Sequence, residues 1–320
     1  MKRRILLCFL ILSVLVMPVR AENIKWVDFQ VPYESLKYAM ERDIATFEEE
    51  KHISWIDILA VAACRSGGRC DLNSVKQAAK ELQGDQSPEE LLGALYKYYG
   101  YYHESFQAAL GGLLGSYEIE KDGKWVPCYG LKAFSPVAAG YGYSHCDDFG
   151  VGRSFGFKRK HLGHDMMGGT GTPIVAVEGG VVEAMGWNRY GGWRIGIRSF
   201  DNKRYYYYAH LQKDKPFAEG LEVGQIVQAG DVIGFMGQTG YSDKENVNNI
   251  RTVHLHFGLQ LIFDESQKEC LSEIWIDAYD IVRLLEGHRS SVRKTEKGWE
   301  RVFPYRDLDW AEFSPMGATN

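Results

Sequence analysis

The chain has 320 residues, of which 45% are hydrophobic, so it is long enough to hold two domains of ordinary size. Its formal net charge of -5 at pH 7 gives no general attraction to nucleic acid or to anionic membranes, so nucleic-acid binding is not expected. These values are typical of a soluble globular protein.

The first residues have the form of an export signal. Three basic residues at positions 2 to 4 precede an apolar run, Ile5 to Val16, and small residues follow where a signal peptidase needs them. The run is shorter than the roughly 18 apolar residues that would span a membrane. We therefore expect a signal peptide at 1–21, cleaved after Ala21, and a protein in the cell envelope or secreted, without stable membrane association. An uncleaved anchor is the alternative.

An odd number of cysteines follows the signal, which prevents complete internal pairing. They are Cys64, Cys70, Cys128, Cys146 and Cys270. Cys64 and Cys70 flank a short glycine-containing loop, so a disulfide between them outside the cell and a pair of free thiols are both open. The sequence has no CxxC pair, so it does not indicate a zinc cluster of thiolates.

Residues 22–117 have a helical pattern and are predicted to form a small α-helical domain. Apolar residues at spacings of four and three predict one buried face on the first helix. These residues are Leu36, Met40, Ile44 and Phe47. Helix-start signals at Ser54, Asp71 and Ser87 predict three further helices, which makes four in all.

From about Tyr117 the helical period disappears, and glycine, proline and alternating β-branched or aromatic residues replace it. We expect an ordered linker at 118–154, a mostly antiparallel β domain at 155–288 that ends in one helix, and a C-terminal tail at 289–320. The pair Asp201-Asn202 predicts a hairpin between the segments WRIGIRSF and RYYYYAHL. The predicted fold class is therefore α+β.

Five residues in the β region can bind a metal ion or act beside one. They are His161, Asp165, His210, His254 and His256. His254 and His256 lie two apart on a predicted strand, so both point to one side while Leu255 points to the core. By the same alternation Tyr206, Tyr208 and His210 should share one face of their strand.

A catalytic zinc site usually takes three protein ligands and leaves one position for water. Gly163 permits a turn that lets His161 and Asp165 converge, and we assign these two and His256 as ligands of one zinc ion per chain. His210 and His254 then remain to orient water, accept its proton or stabilise an oxyanion. The sequence contains no HExxH helix, so histidines must replace the glutamate base of that type.

Two nearby groups receive weaker interpretations. His164, inside the HLGHD motif, is expected to support the ligands rather than bind the metal. The run His145-Cys146-Asp147-Asp148 is a candidate for a second metal, although four adjacent side chains seldom converge on one ion.

Several motifs together resemble the M23 metallopeptidases of the lysostaphin or LytM type. They are HxGxD, GTPIVAVEGGVV, YAHL, VGQIVQAGDVIG, GxTG and HLHF, and they cover about residues 155 to 262. The resemblance implies a LytM-type (duplicated hybrid motif-like) peptidase domain, zinc at His161, Asp165 and His256, and catalytic roles for His210 and His254. It also implies cleavage of stem or cross-bridge peptides of peptidoglycan.

The predicted substrate groove surrounds these motifs. Its predicted peptide-binding residues are Asn188, Tyr190, Gly191, Gly192, Tyr208 and Thr239. The segment 241–253 is longer than the linker that many family members carry there, and we expect it to form a lip of the groove. The alternative function is a non-catalytic peptidoglycan-binding protein or an activator of another cell-wall hydrolase, but degenerate relatives of that kind typically lack ligands, whereas all five positions are filled here.

Overall fold

The computed structural model describes residues 25–27, 29–156, 158–268 and 272–308. The predicted signal peptide and Cys270 lie outside these residues. Within them, no helix is both long enough and apolar enough to cross a membrane. Cys64 and Cys70 are buried free thiols.

Helices make up the first part of the described chain, and one more follows the sheet. They are α1 Tyr33–Thr46, α2 Trp55–Ser66, α3 Leu72–Leu82, α4 Pro88–Leu92, α5 Tyr99–Leu110 and α6 Tyr279–Glu286, with 3₁₀ helices at Gly93–Tyr98 and Glu265–Lys268. The three predicted N-caps are confirmed: Ser54 and Asp71 accept from backbone amides of the first turn, and Ser87 forms a capping box with Glu90. The predicted count of four helices before Tyr117 is wrong, because Gly93 at φ 52° breaks the fourth pattern into α4, a 3₁₀ helix and α5.

The predicted apolar face of α1 is only partly correct. Leu36 is buried, but Ile44 and Phe47 are 37% and 41% exposed. The buried stripe includes Asp43, whose carboxylate accepts hydrogen bonds from the Trp55 amide at 2.8 Å and the Tyr129 hydroxyl at 2.7 Å. These bonds satisfy the buried charge, which allows an acidic residue to face the core.

Strands dominate the remaining chain. They are β1 Lys25–Val27, β2 Leu114–Lys121, β3 Lys124–Leu131, β4 Ser144–Cys146, β5 Gly152–Arg153, β6 Arg159–Lys160, β7 His164–Met167, β8 Pro173–Val175, β9 Gly180–Asn188, β10 Gly192–Ser199, β11 Arg204–Ala209, β12 Ile226–Val227, β13 Val232–Phe235, β14 His254–Leu261, β15 Ile274–Ile276, β16 Val292–Thr295, β17 Gly298–Arg301 and β18 Tyr305–Asp307.

The largest sheet has nine strands and carries the candidate site. Its main path runs β1-β15-β14-β11-β10-β9-β12, and β7 pairs with both β14 and β4. The β10–β11 hairpin is confirmed, with Ile195 opposite Tyr208. Helices followed by a mostly antiparallel sheet confirm the α+β class.

The linker and the tail pair with each other. β2 and β3 form a hairpin, and β18 joins the free side of β2. The Lys132 ammonium, 2% exposed, lies 3.0 Å from the carboxylate of Asp307, which is 1% exposed. The segment predicted as a C-terminal tail therefore contributes three strands and one member of a buried ion pair, whereas the domain boundaries themselves stay predictions.

One buried arginine connects the helices to the sheet. Arg204, at the start of β11, is 1% exposed, and it donates to both carboxylate oxygens of Glu178 at 2.7 and 3.0 Å. Its guanidinium also donates to Asp201 at 2.8 Å and to the Ala108 carbonyl, near the end of α5, at 2.8 Å. A cation at a helix C-terminus satisfies carbonyls that have no partner within the helix.

Candidate metal centre and active site

Three predicted ligands meet at the junction of β7 and β14. His256 lies directly opposite Asp165 in this antiparallel pair, so both side chains point to the same side of the sheet. His161, just before β7, places Nε2 at 2.8 Å from His256 Nδ1 and at 3.0 Å from Asp165 Oδ1. His256 Nδ1 lies 3.0 Å from the same oxygen, so two nitrogens and one carboxylate oxygen face a common point.

Gly163 permits this convergence by its lack of a side chain. A Cβ atom at this position would lie 2.6 Å from His256 Nε2 and 2.9 Å from the Phe257 carbonyl oxygen. The close approach of the His256 ring therefore requires glycine between His161 and Asp165. Gly163 thus has a steric role in the site, whereas the role expected from the sequence is a turn.

Asp148 orients the His161 ring. The Nδ1–H of His161 donates to the backbone carbonyl of Asp148 at 3.4 Å, and Asp148 Oδ1 lies 2.7 Å from the same nitrogen, which leaves the Nε2 lone pair directed at the other two ligands. Arg153 forms an ion pair with Asp148, and its guanidinium also lies 3.6 Å from Asp165 Oδ2. Sequence reasoning missed this role of Asp148, because Asp148 and His161 come together only through the fold.

The predicted second-metal cluster separates in the structure. His145 points away from Asp148 and its Nδ1 lies 2.8 Å from His164 Nε2, on the other side of β7 from Asp165. Among the described residues, the one group with metal-ligand geometry is the set at His161, Asp165 and His256. Burial beside His145 lowers the pKa of His164 to about 3, so His164 is neutral at pH 7.

The ligands have perturbed ionisation. Burial alone would raise the pKa of Asp165, but hydrogen bonds from His161 and His256 outweigh it and lower the pKa well below its usual range. Burial likewise opposes protonation of His161, yet the adjacent carboxylates raise its pKa. The pKa of His256 is lowered, chiefly by burial. Asp165 is therefore ionised, as a metal ligand must be.

His254 and His256 point to the same side, while Leu255 is fully buried on the other, as strand alternation predicts. His254 Nε2 lies 3.8 Å from Asp165 Oδ2. Its Nδ1 is 2.8 Å from the Thr252 carbonyl oxygen, which can only accept, so this nitrogen carries the hydrogen. The Nε2 atom of His254 therefore faces the site.

His210 reaches the site by a different route from the predicted one. Ala209, not Tyr208, lies opposite His256, so alternation would direct His210 to the core. A positive φ of 61° at His210 redirects its side chain, and its ring centroid lies 4.8 Å from that of His254. The expectation that Tyr206, Tyr208 and His210 share one strand face is therefore wrong, although His210 does join the site.

His210 is held as a neutral imidazole. Its Nδ1–H donates to the Thr239 carbonyl at 2.9 Å, which leaves Nε2 as the acceptor. Burial, reinforced by the nearby rings of His254 and His256, lowers the pKa of His210 well below its usual value. His210 is therefore neutral at neutral pH, with a free lone pair at Nε2.

A groove of about 570 Å³ opens over these histidines, and three of the six predicted peptide-binding residues line it: Asn188, Tyr190 and Gly191. The side-chain oxygen of Asn188 accepts from the amides of Tyr190 at 3.0 Å and Gly191 at 2.6 Å, which fixes this turn between β9 and β10.

The other three predicted groove residues lie behind the site. Tyr208 is fully buried, and its hydroxyl accepts from the Val177 amide at 3.0 Å. Thr239 is also fully buried, and its carbonyl orients His210. Gly192, at φ 64°, packs directly on the Thr239–Gly240 backbone. Their assignment to the substrate is wrong, because each packs against the protein interior.

The outer rim of the groove is aromatic and cationic. Phe155, between β5 and β6, stacks on Tyr241 at a centroid distance of 4.9 Å. The Arg159 guanidinium lies over the rings of Tyr190 at 5.0 Å and Tyr241 at 5.1 Å. Tyr241, the first residue of the predicted lip, also lies 5.9 Å from the His210 ring. No motif in the sequence indicates a role for Phe155 or Arg159.

Comparisons with known proteins agree with this arrangement. Residues 159–268 match the model of peptidase family M23. The chain is 44% identical over 117 residues to an L-Ala–D-Glu endopeptidase of Bacillus subtilis, covering 37% of this chain and 34% of that protein. It is 35% identical over 119 residues to lysostaphin of Staphylococcus simulans, covering 37% of this chain and 20% of lysostaphin.

These matches thus span about a third or less of the curated relatives. A solved structure described as a glycyl-glycine endopeptidase LytM of Ruminococcus gnavus aligns with a TM-score of 0.54 at 23% identity, covering 82% of this chain and 90% of that one. This likeness shows a shared fold. Residues 159–268 therefore match peptidase family M23, and the likeness to the solved structure extends the shared fold over most of the chain.

Proposed function

We propose that the protein is an exported zinc metalloendopeptidase that hydrolyses peptide bonds in the stem or cross-bridge peptides of peptidoglycan. The observation that carries this proposal is the convergence of His161, Asp165 and His256 at the base of a groove, beside two further histidines. The names of the relatives support it, since they are an L-Ala–D-Glu endopeptidase and lysostaphin.

The donor set fits zinc. Two imidazole nitrogens and one carboxylate oxygen are ligands that catalytic zinc commonly takes, and the separations of 2.8 to 3.0 Å bring them to one point. Asp148 adds the carboxylate partner that zinc-binding histidines usually have. When bound, zinc would lower the pKa of a water molecule to about 7 and polarise the scissile carbonyl.

The two other histidines would handle protons and charge. His210 is neutral with its Nε2 lone pair free, so it can accept a proton from the attacking water and return it to the leaving amine. His254, once protonated at Nε2, would donate to the developing oxyanion. Backbone carbonyls hold both rings by Nδ1, so neither ring has to reorient during the reaction.

The groove would position the peptide. Asn188, Tyr190 and Gly191 form one wall, and we propose that the substrate backbone lies against this turn. Gly191 cannot carry a side chain, because a Cβ atom there would collide with the Tyr207 hydroxyl. The predicted signal at 1–21 supports an extracytoplasmic location, where this substrate occurs.

Two histidine substitutions test the proposal. His161→Ala should lose the zinc, whereas His254→Ala should keep about one zinc per chain and lose turnover by roughly 10² to 10⁴-fold. Zinc content is measured by elemental mass spectrometry, and turnover by the release of new amine termini from purified cell walls.

His103→Ala, in α5 far from the groove, is the matched control and should keep both properties. Full turnover in zinc-loaded His254→Ala would contradict the catalytic assignment. Wall binding by the wild type without any new amine terminus would support the non-catalytic alternative instead.

A further inference from the structure

Arg194 brings a positive charge into the groove at a distance from the histidines. It lies in β10 next to Ile195, which is fully buried, so Arg194 points to the opposite, groove-lining side. Its partner on β9 is Gly186, which has no side chain to cover it. Ile195 pairs with Tyr208, and the next residue on β11, Ala209, pairs with His256. Two strand spacings, or about 10 Å, therefore separate the backbones of Arg194 and His256.

The Arg194 guanidinium has no acidic partner among the described residues. No salt bridge within 4.0 Å joins it to a carboxylate there, and its Nε is buried without a hydrogen-bond acceptor. The neighbouring arginines differ: Arg198 lies 2.6 Å from a Glu265 oxygen, and Arg204 lies 2.7 Å from a Glu178 oxygen. A half-buried guanidinium with an open donor gains free energy when an anion binds it.

Acidic side chains at this end of the groove are already engaged. Glu273 Oε2 accepts from the Trp275 indole at 2.8 Å. Glu183 forms an ion pair with Lys268. The neighbouring Tyr205 hydroxyl carries no charge, because burial raises its pKa to about 12. The cation therefore remains available to a ligand.

The walls around Arg194 favour a strong ion pair. The end of the Tyr205 ring occupies the space that a side chain at Gly196 would need, and the rings of Tyr207 and Trp275 meet at a centroid distance of 6.1 Å and an angle of 82°. These aromatic surfaces restrict water around the guanidinium, and a salt bridge strengthens as the local dielectric constant falls.

We infer that Arg194 is an anion subsite that binds the free carboxylate of an acidic residue in the substrate peptide. This inference rests on the proposed function. An extended peptide covers about 3.3–3.6 Å per residue, so a carboxylate within about three residues of the scissile bond reaches this subsite. A glutamate residue has two carboxyl groups, and only one of them forms a peptide bond within the substrate. A substrate peptide with an Ala–Glu bond therefore presents a free carboxylate close to the scissile bond. A glycine bridge presents none.

A pair of synthetic stem peptides tests the subsite. Both contain L-Ala–D-Glu, and they differ only in whether the free carboxyl of D-Glu is a carboxylate or a carboxamide. Wild-type enzyme should cleave the carboxylate peptide with a kcat/KM about 10- to 100-fold higher, the range expected for a hydrogen bond to a charged group. Arg194→Gln should bring this ratio near 1 by lowering only the rate for the carboxylate peptide, mainly through KM.

Two further variants sharpen the test. Arg194→Lys should keep part of the preference, because it retains the charge but loses the paired donors. Arg293→Gln, on exposed β16, removes one positive charge far from the groove and should leave the ratio unchanged. An equal rate for both peptides in the wild type, or an equal loss for both in Arg194→Gln, would overturn the inference.

A binding measurement distinguishes a failure of this inference from a failure of the proposed function. If the wild type cleaves neither these peptides nor pentaglycine, the proposed hydrolysis is wrong, and calorimetry with the same two peptides still tests Arg194. The carboxylate peptide should bind the zinc-loaded wild type about 10-fold more tightly than it binds Arg194→Gln. Equal affinity, or no binding to either protein, would overturn the subsite.

Discussion

Replacement of Asp148 tests how much of the metal affinity depends on a residue that does not touch the metal. Asp148 Oδ1 lies 2.7 Å from His161 Nδ1, and His161 is only 6% exposed, so water has little access to replace this charged contact. Loss of such a partner typically costs 10- to 100-fold in metal affinity, or about 1.4–2.7 kcal/mol. In Asp148→Ala the Arg153 guanidinium would also lose its ion pair.

That second effect places the expected loss near the upper end of the range. Arg153 already lies 3.6 Å from Asp165 Oδ2, and without Asp148 it can turn fully toward this ligand and compete with the cation. The double variant Asp148→Ala/Arg153→Met should therefore recover part of the affinity.

The assay is competition for zinc with a chromogenic chelator at pH 7. Asp147→Ala is the matched control, because it removes the same charge from the adjacent, exposed position. Asp148→Asn keeps an acceptor oxygen and should lose less affinity than Asp148→Ala. Equal zinc affinity in Asp148→Ala and Asp147→Ala would refute the reasoning.

Three other substitutions probe packing, buried charge and pH. Gly163→Ala should weaken zinc binding by about 10-fold or more, because the added Cβ would displace the ring of the ligand His256. Gly142→Ala is the control, because a Cβ there meets no atom within 4 Å. Equal zinc affinity of the two variants in chelator titrations would contradict the prediction. Glu178→Leu should lower the free energy of unfolding by about 3–5 kcal/mol, because it removes the main acidic partner of the buried Arg204 guanidinium. The double variant Glu178→Leu/Arg204→Met should recover much of the lost stability. Equal denaturation midpoints for the two variants would show that the buried charge is not the cause. In the unfolded chain His164 binds a proton below about pH 6.5, whereas in the folded chain it does so only near pH 3. Acidification from pH 6.5 toward pH 3 should therefore lower the free energy of unfolding, and His164 should contribute about 1.4 kcal/mol per pH unit to this loss. In chelator-treated protein, His164→Gln should show a correspondingly flatter pH dependence, and an unchanged slope would count against it.

Features that depend on local periodicity could be predicted from the sequence. The two-residue alternation of β14 placed His254 and His256 on one face and Leu255 in the core, and the structure agrees. The Asp201-Asn202 turn predicted the β10–β11 hairpin for the same reason, since its signal lies within a few residues.

Features that depend on tertiary contact could not be predicted. His210 needs a left-handed backbone, which no neighbouring glycine or turn motif signals, and the simple alternation rule therefore misplaced Tyr208. Asp148 acquires its role only when the segment before β7 and the loop before β5 come together. Arg194 is a candidate subsite because its guanidinium has no acidic partner among the described residues, and a sequence alone does not show which side chains lie beside it.

The pairing of distant strands has a consequence for the order of folding. β1 pairs with β15, and β2 with β18, so each of these contacts closes a loop that contains most of the described chain. Closing long loops costs more chain entropy, and topologies rich in such contacts fold slowly. The hairpins of the central sheet, β9–β10 and β10–β11, close much shorter loops. We therefore expect the floor of the groove to form early and the two distant pairings to form last, as the slow steps of folding.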